Sequence, residues 1–200
     1  MKQSLMLRNA ILFIAFSAGL MPGSGIFSYA NTTPAPATAP VSVTQYVGGA
    51  RALGQSRLTV YGFNIYDAKL WAADGFAATN YTAESFALEL RYLRSFKGPM
   101  IAERSLVEMR RLGSVSDEKA ARWLDNMKKT FPDVKKGDEL IGIHKSDGTA
   151  SFTLNGKPIG EVRDEEFTRL FFGIWLSPNT SEPKMRKQLL GLAANDSKPK

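Results

Sequence analysis

Residues 139–161, ELIGIHKSDGTASFTLNGKPIGE, contain two short turn signals between three strand-like segments. The first signal is Asp147-Gly148 and the second is Asn155-Gly156, and each lies between segments rich in apolar and β-branched residues. Dipeptides of this type tolerate the positive φ angles that tight hairpin turns require. The stretch therefore predicts a three-stranded antiparallel meander.

Residues 43–92 have the same strand-like character. Apolar, β-branched and aromatic residues alternate there with polar ones, and Gly49, Gly54 and Gly62 separate the alternating segments. We therefore expect these segments to add strands to the sheet of the meander. The predicted strands are residues 43–47, 57–61, 63–71 and 86–93.

Four stretches have the helical spacing of apolar residues. Two lie in the middle of the chain, where Ser114 or Ser116 can cap the second helix and Pro132 ends it. The third opens with acidic residues at 164–166, and Pro183 starts the last. Strands before and after helices predict an α+β fold, in which helices pack on one face of a large antiparallel sheet. The apolar positions are Ala102, Leu106 and Met109; Ala120, Trp123, Leu124, Met127 and Phe131; Phe167, Leu170, Phe171, Ile174 and Trp175; and Met185 and Leu189.

The N-terminus has the layout of a secretory signal peptide. Lys2 and Arg8 precede an apolar run at 10–21, and a small-x-small pattern ends at Ala30. The run is shorter than the roughly 20 residues that cross a bilayer, so we expect cleavage after Ala30, no integral membrane segment afterwards, and a periplasmic or secreted location. The predicted organisation is a signal peptide at 1–30, a disordered Pro/Ala/Thr-rich lead-in at 31–42, one domain at 43–192 and a flexible tail at 193–200.

The composition excludes several classes of site. The chain has no cysteine and one histidine, His144, so thiol catalysis, a catalytic triad and a two-histidine metal site cannot be assembled. Neither common phosphate-loop glycine pattern occurs. The net charge of +7 comes from scattered basic residues, which are more typical of a soluble surface than of a nucleic-acid site. We expect no metal, no cofactor and no nucleic acid, and a structural or surface role for His144.

Arginines and tyrosines on the predicted strands are the remaining candidates for a site. The planar guanidinium group suits a carboxylate or phenolate oxygen, and a neighbouring phenol can donate a second hydrogen bond. Each of these residues taken alone is more typical of a protein surface. The group consists of Arg57, Tyr61, Tyr66, Arg91 and Arg94.

Several segments together resemble chalcone-isomerase-like proteins. A glycine, a nearby arginine and a Phe/Tyr-rich strand follow one another as in the first two core strands of that family. Later segments resemble strands and C-terminal helices of its bacterial branch. The resemblance covers residues 43–192, and its segments are specific as a set rather than singly. They are residues 46–50, 54–57, 63–71, 87–94, 152–160, 167–177 and 184–190.

This resemblance implies a fold and a set of site residues. The family fold is an open-faced β-sandwich with helices over one face of a large antiparallel sheet. Its plant enzymes cyclise chalcones, whereas other branches bind fatty acids or flavonoid intermediates without catalysis. Arg57 falls on the arginine that steers the phenolate, and Tyr66 on the threonine of the second strand. Arg104 falls near a helix position that carries Asn in the enzymes, and Leu170 and Phe171 replace a small hydroxyl residue.

The leading hypothesis is an exported, monomeric chalcone-isomerase-like protein that binds a small amphipathic acidic or phenolic ligand, such as a fatty acid or flavonoid, without isomerase activity. Arg57 would contact the anionic oxygen, Tyr66 and Arg104 would add hydrogen bonds, and Leu170 and Phe171 would form an apolar wall. The alternative is an intramolecular lyase acting on a chalcone-like unsaturated ketone, with Arg57 and Tyr66 stabilising the developing charge. A third possibility is an envelope protein that binds a partner through its basic C-terminal helix.

Overall fold

A six-stranded antiparallel sheet forms the frame of residues 38–192, the part of the chain that the computed structural model describes. The order of the strands in space is their order along the chain, so every connection joins neighbouring strands. The predicted meander is confirmed and supplies the last three strands. The strands are β1 Arg51–Val60, β2 Phe63–Ala72, β3 Phe86–Tyr92, β4 Glu139–His144, β5 Thr149–Leu154 and β6 Lys157–Arg163.

Four helices of seven residues or more pack on one face of this sheet, which confirms the predicted α+β fold. Ser116 caps the second of them by accepting a hydrogen bond from the Lys119 backbone, as one of the two predicted alternatives required. Asp164 caps the next in the same way through the Phe167 backbone. The helices are α1 Val41–Thr44, α2 Gly98–Leu112, α3 Asp117–Thr130, α4 Glu165–Leu176 and α5 Pro183–Leu189, and α1 lies on the other face.

The strand predicted at residues 43–47 is wrong, because this segment forms the end of α1 and a following turn. Val43 and Val47 are both buried, and their spacing of four residues places them on the same side of a helical turn. They cover part of the sheet face that lies opposite the large helices, where they pack with Trp71 and Ile143. The apolar periodicity of this segment therefore fits one helical turn as well as a strand.

Some predictions concern residues outside the described range. The signal peptide at 1–30, most of the lead-in at 31–42 and the tail at 193–200 belong to this group. The predicted domain start at residue 43 falls inside α1. Within residues 38–192, no helix combines the length and hydrophobicity that crossing a membrane requires.

Gly54 allows α5 to pack directly on the edge strand β1. A Cβ atom at this position would lie 2.1 Å from the carbonyl oxygen of Gln188 and 2.6 Å from that of Leu189. These distances are far inside van der Waals contact, and backbone atoms cannot rotate away as a side chain can. The glycine is therefore required by the contact that holds the C-terminal helix.

His144 is buried in an aromatic cluster on the helix side of the sheet. Of the two roles predicted for it, structural or surface, it therefore has the structural one. Its ring stacks on Phe86 at 4.8 Å and meets the edge of Phe172 at 5.4 Å. No described residue gives its Nδ1 atom a hydrogen bond. Burial lowers the pKa of His144, although a hydrogen bond with the Glu84 backbone partly opposes this effect.

We expect Gly54→Ala to lower the free energy of unfolding by about 2 kcal/mol or more, because the added methyl group forces α5 away from β1. Gly48→Ala is the matched control, since a Cβ atom there meets nothing within 4 Å. Its expected effect is within about 0.5 kcal/mol. Urea denaturation of both variants measures the difference, and equal effects would show that α5 does not depend on this close approach.

Acidification should destabilise the protein through His144. The unfolded chain takes up a proton near the ordinary pKa of 6.5, whereas the folded chain resists protonation, so stability falls as the pH drops below 6.5. We expect His144→Phe to remove this part of the pH dependence. Thermal unfolding of both proteins between about pH 7.5 and 5.5 measures it, because a carboxylate that titrates in this window, such as Glu139 with its pKa raised by burial, contributes equally to the two slopes. Equal slopes for both proteins would contradict the assignment.

A candidate binding site between the sheet and its helices

The structure divides the five predicted site residues between the two faces of the sheet. Tyr66 of β2, Arg104 of α2, and Leu170 and Phe171 of α4 all belong to the helix side. Arg57 of β1 projects from the opposite face. The sheet therefore separates the Arg57 side chain from the face on which the Tyr66 hydroxyl group lies.

The position of Arg57 follows from a β-bulge in the first hairpin. Thr59 pairs with Asn64, as the two-residue turn requires, but Leu58 pairs with Tyr66 because one residue of β2 is skipped between them. In a regular hairpin Arg57 would lie opposite Tyr66. The shift of one residue pairs Arg57 with Asp67 instead, so the Arg57 side chain lies on the face opposite that of Tyr66.

Arg57 already has a carboxylate partner on that face. Its Nε and second guanidinium nitrogen donate to the two carboxylate oxygens of Asp67 at 2.6 and 3.0 Å. On the same face, the strand register pairs Asp67 with Arg91 of β3, and Arg91 with Glu139 of β4. Arg57 is thus the first member of a row of alternating charges across four strands. The pairing accounts for Arg57 without a ligand.

On the helix side, a polar cluster surrounds the carboxylate of Glu108. This side chain is only 8% exposed and forms ion pairs with Arg104 and with Arg111, the latter at 3.4 Å. Ser181, in the connection between α4 and α5, donates a hydrogen bond of 2.9 Å to the same carboxylate. Spacings of three and four residues place the arginines on the same side of α2 as Glu108. The buried charge is therefore well compensated.

The hydroxyl group of Tyr66 faces this cluster. It accepts a hydrogen bond of 3.1 Å from the indole nitrogen of Trp175, whereas its own proton has no acceptor among the described residues. Loss of water around the hydroxyl group raises the pKa of Tyr66, so the group stays protonated at neutral pH. Glu108 and Glu182 raise this pKa further, while Arg104 and the Trp175 hydrogen bond lower it. Tyr66 thus offers a free hydrogen-bond donor in a sheltered position.

An apolar cavity lies between the centre of the sheet and α4, and one of its lining residues is Trp175, which also bonds the Tyr66 hydroxyl group. Its volume is only about 10 Å³, compared with the roughly 300 Å³ that a typical ligand pocket needs. Aromatic side chains occupy the rest of the space. The lining consists of Leu88, Leu90, Leu140, Gly142 and Phe152 of the sheet, and Phe171, Phe172 and Trp175 of α4.

Two predicted residues differ in their relation to this cavity. Phe171 lines it and packs on Phe152 at a ring distance of 5.2 Å. Leu170 does not line it, because its side chain points towards Gly113 at the end of α2. Phe171 therefore has the position of an apolar wall, and Leu170 has that of a contact between helices.

Trp175 and Glu108 are the site residues that sequence reasoning missed. The sequence places Trp175 on the apolar face of a helix but does not show that its indole nitrogen meets a tyrosine of a distant strand. Glu108 follows Arg104 by four residues, a spacing that indicates an ion pair on a helix but not its burial. Ser181 lies in a loop and carries no recognisable signal.

Comparisons with known proteins bear on the family and the fold of this chain. The family described as chalcone isomerase-like matches residues 57–191. An uncharacterized protein of Haemophilus influenzae is 30% identical over 139 residues, which are 70% of this chain and 67% of that protein. The crystal structure of the fatty-acid binding protein AtFAP1 of Arabidopsis thaliana matches with a TM-score of 0.55 and 12% identity, over 74% of this chain and 90% of that one. This structural likeness confirms the predicted fold, and the family match confirms the predicted resemblance: the chain belongs to the chalcone isomerase-like family.

Proposed function

We propose that this protein binds a small amphipathic molecule between the sheet and α4, with the polar end of the molecule at Tyr66 and Arg104. The observation that carries the proposal is the position of Trp175. This side chain lines the apolar cavity and also donates a hydrogen bond to Tyr66. An apolar surface and a free hydrogen-bond donor therefore meet at one residue, as the recognition of an amphipathic molecule requires.

The polar groups suit an acidic or phenolic oxygen. Tyr66 has an uncommitted proton, and the guanidinium group of Arg104 has several donors, of which one bonds Glu108. The Arg104 side chain is 72% exposed, so it can turn towards a ligand. Glu108 would keep Arg111 and Ser181 as partners during this movement. The cluster can thus release Arg104 without leaving a buried charge unpaired.

Binding requires the cavity to open. Phe171 and Trp175 would have to turn away from the sheet, and the hydrogen bond between Trp175 and Tyr66 would break at a cost of about 1 kcal/mol. The ligand would offset this free-energy cost by taking the place of Trp175 at the Tyr66 hydroxyl group and by covering the exposed apolar wall. The proposal therefore includes a closed and an open state, of which the structure is the closed one.

Fatty acids are the first ligand class to test. The related fold of AtFAP1 belongs to a protein named for fatty-acid binding, which supports this choice as a starting point. A hydroxylated chalcone is the second probe, because it combines an aromatic body with phenolic oxygens. Either molecule would place an anionic or phenolic oxygen at Arg104 and an apolar body against Phe171.

We also propose that the protein acts as a monomer after export to the periplasm or the cell exterior. The support for export is the predicted signal peptide at 1–30, with its basic start, apolar run and small residues before the cleavage position. The intact mass of the protein recovered from the producing cells should then lack residues 1–30. A mass that includes them would contradict the proposed processing.

Calorimetric titration with oleate, below its micelle concentration, tests the proposed site. We expect Arg104→Ala to weaken binding about 10-fold, which corresponds to about 1.4 kcal/mol for a lost charged hydrogen bond. Arg57→Ala is the matched control, because it removes the same charge from the opposite face of the sheet. Its expected effect is less than about 2-fold, as for a screened surface charge.

Three results would contradict the proposal or redirect it. Absence of binding to oleate and to the chalcone would contradict it outright. An equal loss in both arginine variants would point to general attraction of anions by the basic surface. Turnover of the chalcone above the rate in solution would favour the intramolecular lyase instead, with the free donor of Tyr66 and the charge of Arg104 stabilising the developing oxyanion.

A further inference from the structure

One end of the sheet carries an excess of positive charge. We call it the basic end. It is formed by the turn between β1 and β2, the end of β3, the start of β4 and the turn between β5 and β6. Lys97 is neutralised there by Asp133 at 2.6 Å. Asp138 is buried and accepts hydrogen bonds from the Lys135 backbone and from Asn155. Four exposed side chains of the basic end form no ion pair with a described carboxylate: Arg94, Lys135, Lys136 and Lys157.

The turn between β1 and β2 adds exposed apolar side chains to the basic end. Tyr61 is 72% exposed, Phe63 is 51% exposed and Val60 is 39% exposed. The guanidinium group of Arg94 lies 4.7 Å from the centre of the Phe63 ring. Three large apolar side chains are thus exposed in and beside the two-residue turn, and Arg94, which follows β3, lies against one of them.

Tyr61 holds its place at the cost of an unfavourable backbone conformation. Its φ angle is +49°, and that of Gly62 is +81°, so the turn has the left-handed conformation at both central positions. Asn or Gly is the ordinary occupant of the first position, because a larger side chain is disfavoured there. Neither folding nor the turn itself explains a tyrosine at this position, since its ring makes no buried contact.

We propose that the basic end docks on a membrane surface that carries anionic lipids. Aromatic side chains with a polar edge favour the interface between lipid headgroups and hydrocarbon, and lysines near an anionic bilayer gain attraction. The outer strands of a six-stranded sheet are about 24 Å apart, so the apolar turn and Lys157 would touch the surface at well-separated points. Such contacts would fix the orientation of the sheet relative to the membrane.

The shape of the basic end favours a lipid surface over a macromolecular partner. A narrow protruding turn can insert between headgroups, whereas a protein interface needs a broad area of complementary shape. Recognition of single-stranded nucleic acid uses aromatic rings as stacking platforms along a groove, and the exposed rings lie instead at the tip of one turn. Tyr66 is three residues from Phe63, or about 10 Å along β2, so docking would bring the proposed ligand site close to the headgroups.

A fluorophore at a single site tests where the protein meets the membrane. The chain has no cysteine, so Tyr61→Cys in the full chain allows specific labelling with an environment-sensitive dye. The control is Val107→Cys on α2, a position that is 53% exposed and outside the basic end. With vesicles of phosphatidylcholine and about 30% phosphatidylglycerol, we expect a blue shift of the dye at position 61 and none at position 107. An unshifted dye at position 61 while the protein is bound would overturn the proposal, because another segment would then make the contact.

Charge variants test the electrostatic part of docking. Replacing Lys135, Lys136 and Lys157 by Gln should lower the partition coefficient on these vesicles by roughly 100-fold, at about 5-fold for each lysine. Replacing Arg51, Lys119 and Arg163 by Gln removes the same charge from other parts of the surface and should change it less than about 3-fold. Equal losses in both sets, or equal binding to vesicles of phosphatidylcholine alone, would overturn the proposed role of the basic end. Because this test needs no fatty acid, it can fail or succeed independently of the proposed ligand site.

Discussion

The contact between α4 and the centre of the sheet is the interaction on which the rest of the structure depends. Phe167 and Phe172 of α4 are fully buried there, and Phe171 and Trp175 are nearly so. Burial of a large apolar side chain contributes about 1.5–3 kcal/mol, so these aromatic residues account for a large share of the stability of a domain of this size. The same contact sets the position of Trp175 beside Tyr66 and leaves the small cavity over Gly142.

This arrangement makes stability and ligand binding compete for the same side chains. The rings that close the cavity in the absence of a ligand are those that a ligand would displace, so each gain in closed-state packing lowers the apparent affinity. The polar cluster avoids this conflict, because the Glu108 carboxylate has three partners and stays paired when one of them turns to a ligand. We infer that opening would be limited by Phe171 and Trp175 rather than by the charged groups.

The secondary structure was predictable because its signals are local. Turn dipeptides fixed the meander, and helical spacing with a capping serine fixed α3. The candidate site was less predictable because it depends on contacts between distant segments, such as the hydrogen bond that joins Trp175 to Tyr66 across 109 residues. Arg57 shows the limit most clearly. A regular hairpin would have placed it beside Tyr66, and a bulge of one residue, which no sequence signal announced, placed it on the other face.

The two faces of the sheet consequently have different roles. The helix side combines the core with the candidate site, whereas the other side combines the row of charges that begins at Arg57 with the contact of α1. A row of alternating charges is compatible with water and specifies strand register, since a slip of one residue would separate every pair. The row of charges therefore allows part of this face to stay exposed to water without promoting association with other sheets. The pairing of Arg57 with Asp67 thus gives this arginine a role within the sheet that needs no ligand.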